Sequence, residues 1–194
     1  MSNIIKLKGK ILFDPEDVTN KHSNQSSWKK IAMVLFEGDL CEYYAWFIKK
    51  RFNLKLHKPI RGAHISFIND SIWDLSNGGE ISEDEIQKKW SLLKEKWDGK
   101  EIDVSLNLIP DTDSLENDDC HWWLIVPHNE REELQSIRSE IGLGKPFFGL
   151  HMTIGRAVDS VDESKFELAV MKAKEMSVNH SKYIHLLMKN NFIK

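Results

Sequence analysis

The chain has 194 residues, a net charge of −3 with a pI near 6.2, 41% hydrophobic and 29% charged residues, and two cysteines. That is enough chain to bury a core without disulfides or metals. The charge gives no basic surplus for gripping a long duplex nucleic acid, no apolar run is long enough to span a membrane, and Cys41 and Cys120 lack the paired spacing of a structural zinc site.

In chain order, Leu7 to Phe13 reads as a short strand with Leu7, Ile11 and Phe13 on one face, and Asp14 to Ser27 as a polar loop. Lys30 to Phe36 is apolar on both faces, the pattern of a central strand. Gly38 and Asp39 open a helix to about Asn53, with Leu40, Tyr43, Tyr44, Phe47 and Ile48 at helical spacing. Ile60 to Asn69 reads as a strand and Asp70 to Glu80 as a loop. Ser82 followed by Glu85 has capping-box spacing, and Ile86, Trp90, Leu93 and Trp97 then form one helical stripe ending near Gly99. Ile102 to Ile109 is expected as a strand, Pro110 to Asp119 as an acidic loop, and His121 to Val126 as a further strand. A helix over Asn129 to Ile141 stops at Gly142 and Gly144, and Phe147 to Val158 is a strand. Asp162 to about Met176 reads as a helix and Lys182 to Met188 as a final strand. Strands and helices mix without strict alternation, which gives an α+β class rather than a doubly wound parallel sheet.

The pattern that carries chemistry is a pair of tetrapeptides, His64-Ile65-Ser66-Phe67 and His151-Met152-Thr153-Ile154. Alternation on a strand puts His64 with Ser66, and His151 with Thr153, on one face, opposite apolar neighbours. Two imidazoles near neutral pH can supply a base and an acid, one to take a proton from the attacking oxygen and one to give a proton to the leaving oxygen of a phosphodiester. Two hydroxyls can donate to the non-bridging oxygens. A lone strand histidine is ordinarily a hydrogen-bonded structural residue, and His22, His57, His121, His128, His180 and His185 fall outside the pattern. Simple alternation turns Arg156 to the apolar side, unless a bend at Gly155 re-aims it.

Aromatic residues able to stack a nucleobase are Tyr43, Tyr44, Trp73, Trp123 and Phe148, although core packing is the commoner fate of such side chains. Of the adjacent Trp122 and Trp123, one is expected to face inward. The acidic loop carboxylates lack the spacing and central glycine of a calcium loop. Gly142-Leu-Gly144 is a helix stop, not a phosphate loop.

The paired motifs, with the run Gly144-Lys-Pro-Phe-Phe-Gly-Leu-His-Met-Thr-Ile-Gly-Arg156, resemble the 2H phosphoesterase superfamily, which includes the LigT-like RNA 2′,3′-cyclic phosphodiesterases. The resemblance covers about residues 30–158 in element order; Arg61-Gly62-Ala63-His64 with Asn69-Asp70 is similar to phage RNA-repair-like members of that group. It departs from the commoner pattern in having Ser66 in place of Thr. The resemblance implies a single bilobal domain over residues 1–194, with an antiparallel sheet and helices in each lobe and extensions at both ends. It implies a metal-independent phosphodiesterase without cofactors, and the two cysteines, lacking a paired spacing, fit a reducing, cytoplasmic compartment. His64 and His151 are then the catalytic acid and base, and Ser66, Thr153 and Arg156 hold the phosphate. The expected partner is a nucleotide or short RNA, with no long duplex and no membrane. Hydrolysis of a 2′,3′-cyclic phosphate is the leading expectation. Cleavage of a cyclic or 2′–5′/3′–5′ oligonucleotide signal and non-catalytic nucleotide binding are the alternatives.

Overall fold

The computed structural model describes residues 3–15, 29–59, 61–113, 120–146 and 149–157. The strands are β1 (Ile4–Phe13), β2 (Lys29–Phe36), β3 (Leu56–His57), β4 (His64–Ser71), β5 (Glu101–Asn107), β6 (Asp111–Thr112), β7 (Cys120–Ile125) and β8 (His151–Ala157). The helices are α1 (Leu40–Phe52), α2 (Ile72–Leu75), α3 (Glu83–Trp97) and α4 (Glu132–Glu140). They build two four-stranded sheets, ordered β4-β2-β1-β5 and β3-β8-β7-β6, in which every described pairing is antiparallel. The class is α+β. Among the described residues no helix is long and apolar enough to cross a membrane.

β2 is central, as its two apolar faces require, between β4 and β1. Gly9 lies where a Cβ would collide with Val34 and Phe36, so the crossing of β1 and β2 needs a bare backbone there. One face of the first sheet carries Ile11, Phe13, Ala32, Val34, Ile65 and Phe67 against Ile86, Trp90 and Leu93 of α3. Phe13 and Trp90 meet at 5.0 Å, and the buried Trp90 indole N–H donates to the carboxylate of Asp14 at 2.9 and 3.0 Å.

Several boundaries differ from the sequence reading, for local reasons. The strand expected from Ile60 begins only at His64, because residues 61–63 form a turn in which Gly62 takes a left-handed φ of 68°. The loop expected over Asp70–Glu80 is partly ordered. β4 runs on to Ser71, and Ser71 and Asp74 form a reciprocal capping box that starts α2. At Ser82 the hydroxyl accepts from the Glu85 N–H at 3.3 Å. The helix expected over Asn129–Ile141 is divided into a 3-10 turn at His128–Glu130 and then α4. Strand β5 stops at Asn107, short of the expected Ile109. Within the expected acidic loop, Asp111–Thr112 pairs with β7. The two-residue β3 was not expected at all. The expected helix at Asp162–Met176 and strand at Lys182–Met188 lie outside the described residues.

The helices are exchanged between the sheets. α1 follows β2 of the first sheet, yet packs on β8 of the second. Its Cys41 Sγ lies 3.5 Å from the Thr153 carbonyl. α4 follows β7 of the second sheet, yet packs on β4 of the first. Both sheets and both helices share one apolar cluster, and β4 lies against β8 where the sheets meet.

Candidate active site

His64 opens β4 and His151 opens β8. Each strand is the second of a strand-helix-strand unit whose two strands pair antiparallel: β2 with β4, and β7 with β8. The units match residue by residue. His64 pairs with Leu35, Ser66 with Met33 and Asn69 with Ile31; correspondingly, His151 pairs with Ile125, Thr153 with Trp123 and Arg156 with His121. Both ladders also slip at the same place. The register jumps across Phe67 in β4 and across Ile154 in β8, each three residues after its histidine.

This bulge decides where Arg156 points. A β-bulge inserts one residue, so the pleat resumes with inverted parity. Ile154 and Gly155 are both buried on the apolar side, and Arg156 returns, half-exposed, to the face of His151 and Thr153. The sequence expectation placed the bend at Gly155. That residue has a separate duty: a Cβ on it would come within 2.6 Å of the His57 carbonyl on β3.

The two imidazoles are oriented alike. His64 Nδ1 lies 3.0 Å from the Gly62 carbonyl, and His151 Nδ1 lies 2.7 Å from the Gly149 carbonyl. A carbonyl only accepts, so each Nδ1 carries its hydrogen and donates. Nε2 is thereby the nitrogen that gains and loses a proton in both rings. The surroundings differ: His64 is 7% exposed, whereas His151 is more open and meets the Trp123 ring edge-on at 6.2 Å. The floor beside His64 and Ser66 is apolar, with Ile31 and Met33 buried there outside the main cluster.

A second feature supports the His151 backbone. Arg131 is 9% exposed, its Nε donates to the Val126 carbonyl at 2.6 Å, and its guanidinium lies so close to Gly149 that a Cβ there would sit 3.2 Å from Nη1. Burial pushes the Arg131 pKa down. Val126 N–H in turn donates to the Leu150 carbonyl at 3.0 Å.

The stacking candidates separate. Trp123 stands half-buried on the His151 face, while Trp122 is buried on the other side. Tyr44 is not a stacking residue: it is buried in α1 and its hydroxyl donates to the Leu108 carbonyl at 2.7 Å, with burial raising its pKa. Tyr43 is 56% exposed on α1. Because α1 covers the apolar side of β8, the outer face of that helix points away from His151, which removes Tyr43 from the site. Phe148 and the Trp73 side chain lie outside what the structure describes.

His57 and His121, set aside in the sequence, belong to this face. His57 and His121 flank Arg156 on its two sides, from β3 and β7. Asp113 holds His121, accepting from its backbone N–H at 2.7 Å and lying 2.9 Å from its Nδ1. Burial pushes the Asp113 carboxyl up, but the hydrogen bonds and charge of His121 outweigh it and leave its pKa below the usual carboxylate range. Neither histidine could be found without the register, since β3 is two residues long and the bulge reverses the parity of Arg156.

Among the described residues no group of three or more histidine, cysteine, aspartate or glutamate side chains is placed to hold a metal. A surface groove of about 530 Å³ lies elsewhere, beside Lys6, Lys8, Asp103 and Glu133. Its lining sets five carboxylates against Lys6 and Lys8, with Lys6–Asp103 and Lys8–Glu101 paired at 3.5 and 3.2 Å; it is acidic, holds no histidine and does not suit a phosphate. Compared with known families, curated proteins and solved structures, the chain matches none.

Proposed function

We propose that the chain is a phosphodiesterase of the 2H type, a single bilobal unit that hydrolyses a 2′,3′-cyclic phosphate on a nucleotide or at an RNA end. One observation carries the reading. Two strands far apart in sequence each carry a histidine and a hydroxyl on the same side of the strand, with the same Nδ1-to-carbonyl bond and the same bulge three residues on. Duplication of that detail is not needed to fill a core. It suits a reaction that needs two similar groups on either side of one phosphorus.

In the reaction one neutral Nε2 takes a proton from water as its oxygen bonds to phosphorus. The other, protonated Nε2 gives its proton to the departing ribose oxygen as the second bond breaks. The hydroxyls of Ser66 and Thr153 donate to the non-bridging oxygens, where charge accumulates. Water and the two imidazoles balance the step, so no cofactor enters the scheme. The net charge of −3 fits a short substrate, and the buried free thiols of Cys41 and Cys120 fit a reducing, cytoplasmic setting.

The test is turnover of a panel of cyclic mononucleotides, cyclic dinucleotides and short RNAs, read by mass, with excess EDTA present. The expected result is hydrolysis that falls about 10²–10⁴-fold in His64→Ala and in His151→Ala, with nucleotide binding retained. Turnover lost only with EDTA would sink the metal-free scheme. Binding without turnover by the intact protein would make it a nucleotide-sequestering module.

A further inference from the structure

The ladder positions of the second sheet place three nitrogen-rich side chains abreast. His57 on β3 pairs with Arg156 on β8, and Arg156 pairs with His121 on β7. Adjacent strands lie about 4.8 Å apart, so the outer two are separated by about 10 Å with the guanidinium between them. All three are half-exposed, whereas their immediate strand neighbours Leu56, Cys120 and Ala157 are buried. The row therefore lies on the open face, the face of His151 and Thr153. The first sheet has no counterpart: at the position matching Arg156 stands Asn69, and at that of His121 stands Ile31.

We infer that the row His57–Arg156–His121 is an anion subsite for a second phosphate of the substrate, beside the phosphate held by His64 and His151. This rests on the phosphodiesterase reading for its meaning, but not for its chemistry. A guanidinium between two imidazoles repels a cation and presents N–H donors to an anion. Asp113 occupies Nδ1 of His121, which turns Nε2 of that ring toward a ligand. Three residues of bulged strand separate Thr153 from Arg156, a reach of about 10 Å or less, suited to the next phosphate of a nucleotide chain. The second phosphate has two sources, a 5′-phosphate on a cyclic mononucleotide or an internucleotide phosphate.

Among the described residues, both carboxylates and basic groups lie beside the row. Asp111, paired with Trp123, and Asp113 face it from the β6 side, His151 lies further along β8, and the Glu42–Lys58 ion pair sits where α1 meets the end of β3.

Inorganic sulfate is the direct probe, because it is a tetrahedral anion like a phosphate group. Histidine side-chain resonances of the full chain are followed during sulfate titration. The expected result is a saturable shift at His57 and His121, lost in Arg156→Gln with the remaining spectrum intact. His121→Asn, should Arg156→Gln not fold, is expected to weaken the shift at His57. Shifts confined to His64 and His151, or none, overturn the subsite. Hydrolysis then separates the sources: a nucleoside 2′,3′-cyclic phosphate is compared with its 5′-phosphorylated form and with a dinucleotide of the same end. The phosphorylated substrate with the higher kcat/KM, by about tenfold, names the source, and equal values for all three overturn the substrate assignment. Sulfate binding at the row with no turnover of any substrate sinks the acid–base reading and leaves the subsite.

Discussion

Arg138 on α4 grips Asp70 on β4 with both ends of its guanidinium, Nη1 to Oδ2 at 2.8 Å and Nη2 to Oδ1 at 3.1 Å. The same Nη1 donates to the Phe67 carbonyl at 2.6 Å and Nε to the Gly144 carbonyl at 2.8 Å. One buried side chain of the second unit thus fastens the bulged residue of the first. Arg138→Met removes the charge and leaves Asp70 unpaired with an 80%-covered side chain, and is expected to cost about 3–5 kcal/mol. Urea unfolding of the variant checks this, and a cost under about 1 kcal/mol would show the pair to be an ordinary surface one.

Gly155 is the tightest point of the second sheet. In Gly155→Ala the new methyl meets the His57 backbone carbonyl, which cannot swing away as a side chain can. The expected loss is about 1–3 kcal/mol, with β3 leaving β8. Faster amide exchange at Leu56 and His57, with β7 unaffected, is the signature.

Gly62 holds the carbonyl that orients His64, at a φ of 68°. A Cβ has room there but not the conformation, so Gly62→Ala is expected to cost about 1–2 kcal/mol. It is also expected to lower kcat more than it raises KM, because the ring loses its fixed tautomer rather than a contact to substrate. A fall in stability with kcat unchanged would disconnect that turn from the chemistry.

Cys41 reports on the α1–β8 contact. Burial, followed by the Glu42 carboxylate, pushes its thiol up to about 11. Thiol reagents are therefore expected to modify the native protein far more slowly at pH 8 than the unfolded chain, with the rate climbing as pH approaches 11. The linkage runs in one direction. The unfolded thiol ionises near 9, so its contribution to stability is full below pH 9 and is lost as pH rises through 11. Chemical unfolding at pH 8 and pH 10.5, compared with Cys41→Ala, isolates that loss.

If His64 and His151 divide the acid and base roles, kcat/KM against pH is bell-shaped in the wild type. The residual activity of each alanine variant should then keep one limb only. A bell that persists intact in either variant would assign that limb to another group.

Much of this was readable from residue pattern alone. β2, α1 and α3 follow from apolar periodicity, and the shared face of His64 with Ser66, and of His151 with Thr153, from alternation. What failed were features that depend on pairing between distant segments. Nothing local in Phe67 or Ile154 marks a bulge, yet the bulge inverts the strand and returns Arg156 to the open face. His57 gained its place only because two residues of β3 align with β8, and His121 because its partner had been re-aimed. Tyr44 was misassigned because helical spacing identifies a buried stripe without saying which sheet receives it.

The exchange of α1 and α4 bears on how the molecule comes apart. Each half of the chain owns a helix whose apolar side is completed only by the other half, so a fragment ending before residue 100 would be left with Cys41, Tyr44 and Ile48 facing water. Neither piece is self-sufficient, and the melting curve should accordingly show a single step in which both histidine strands disappear together.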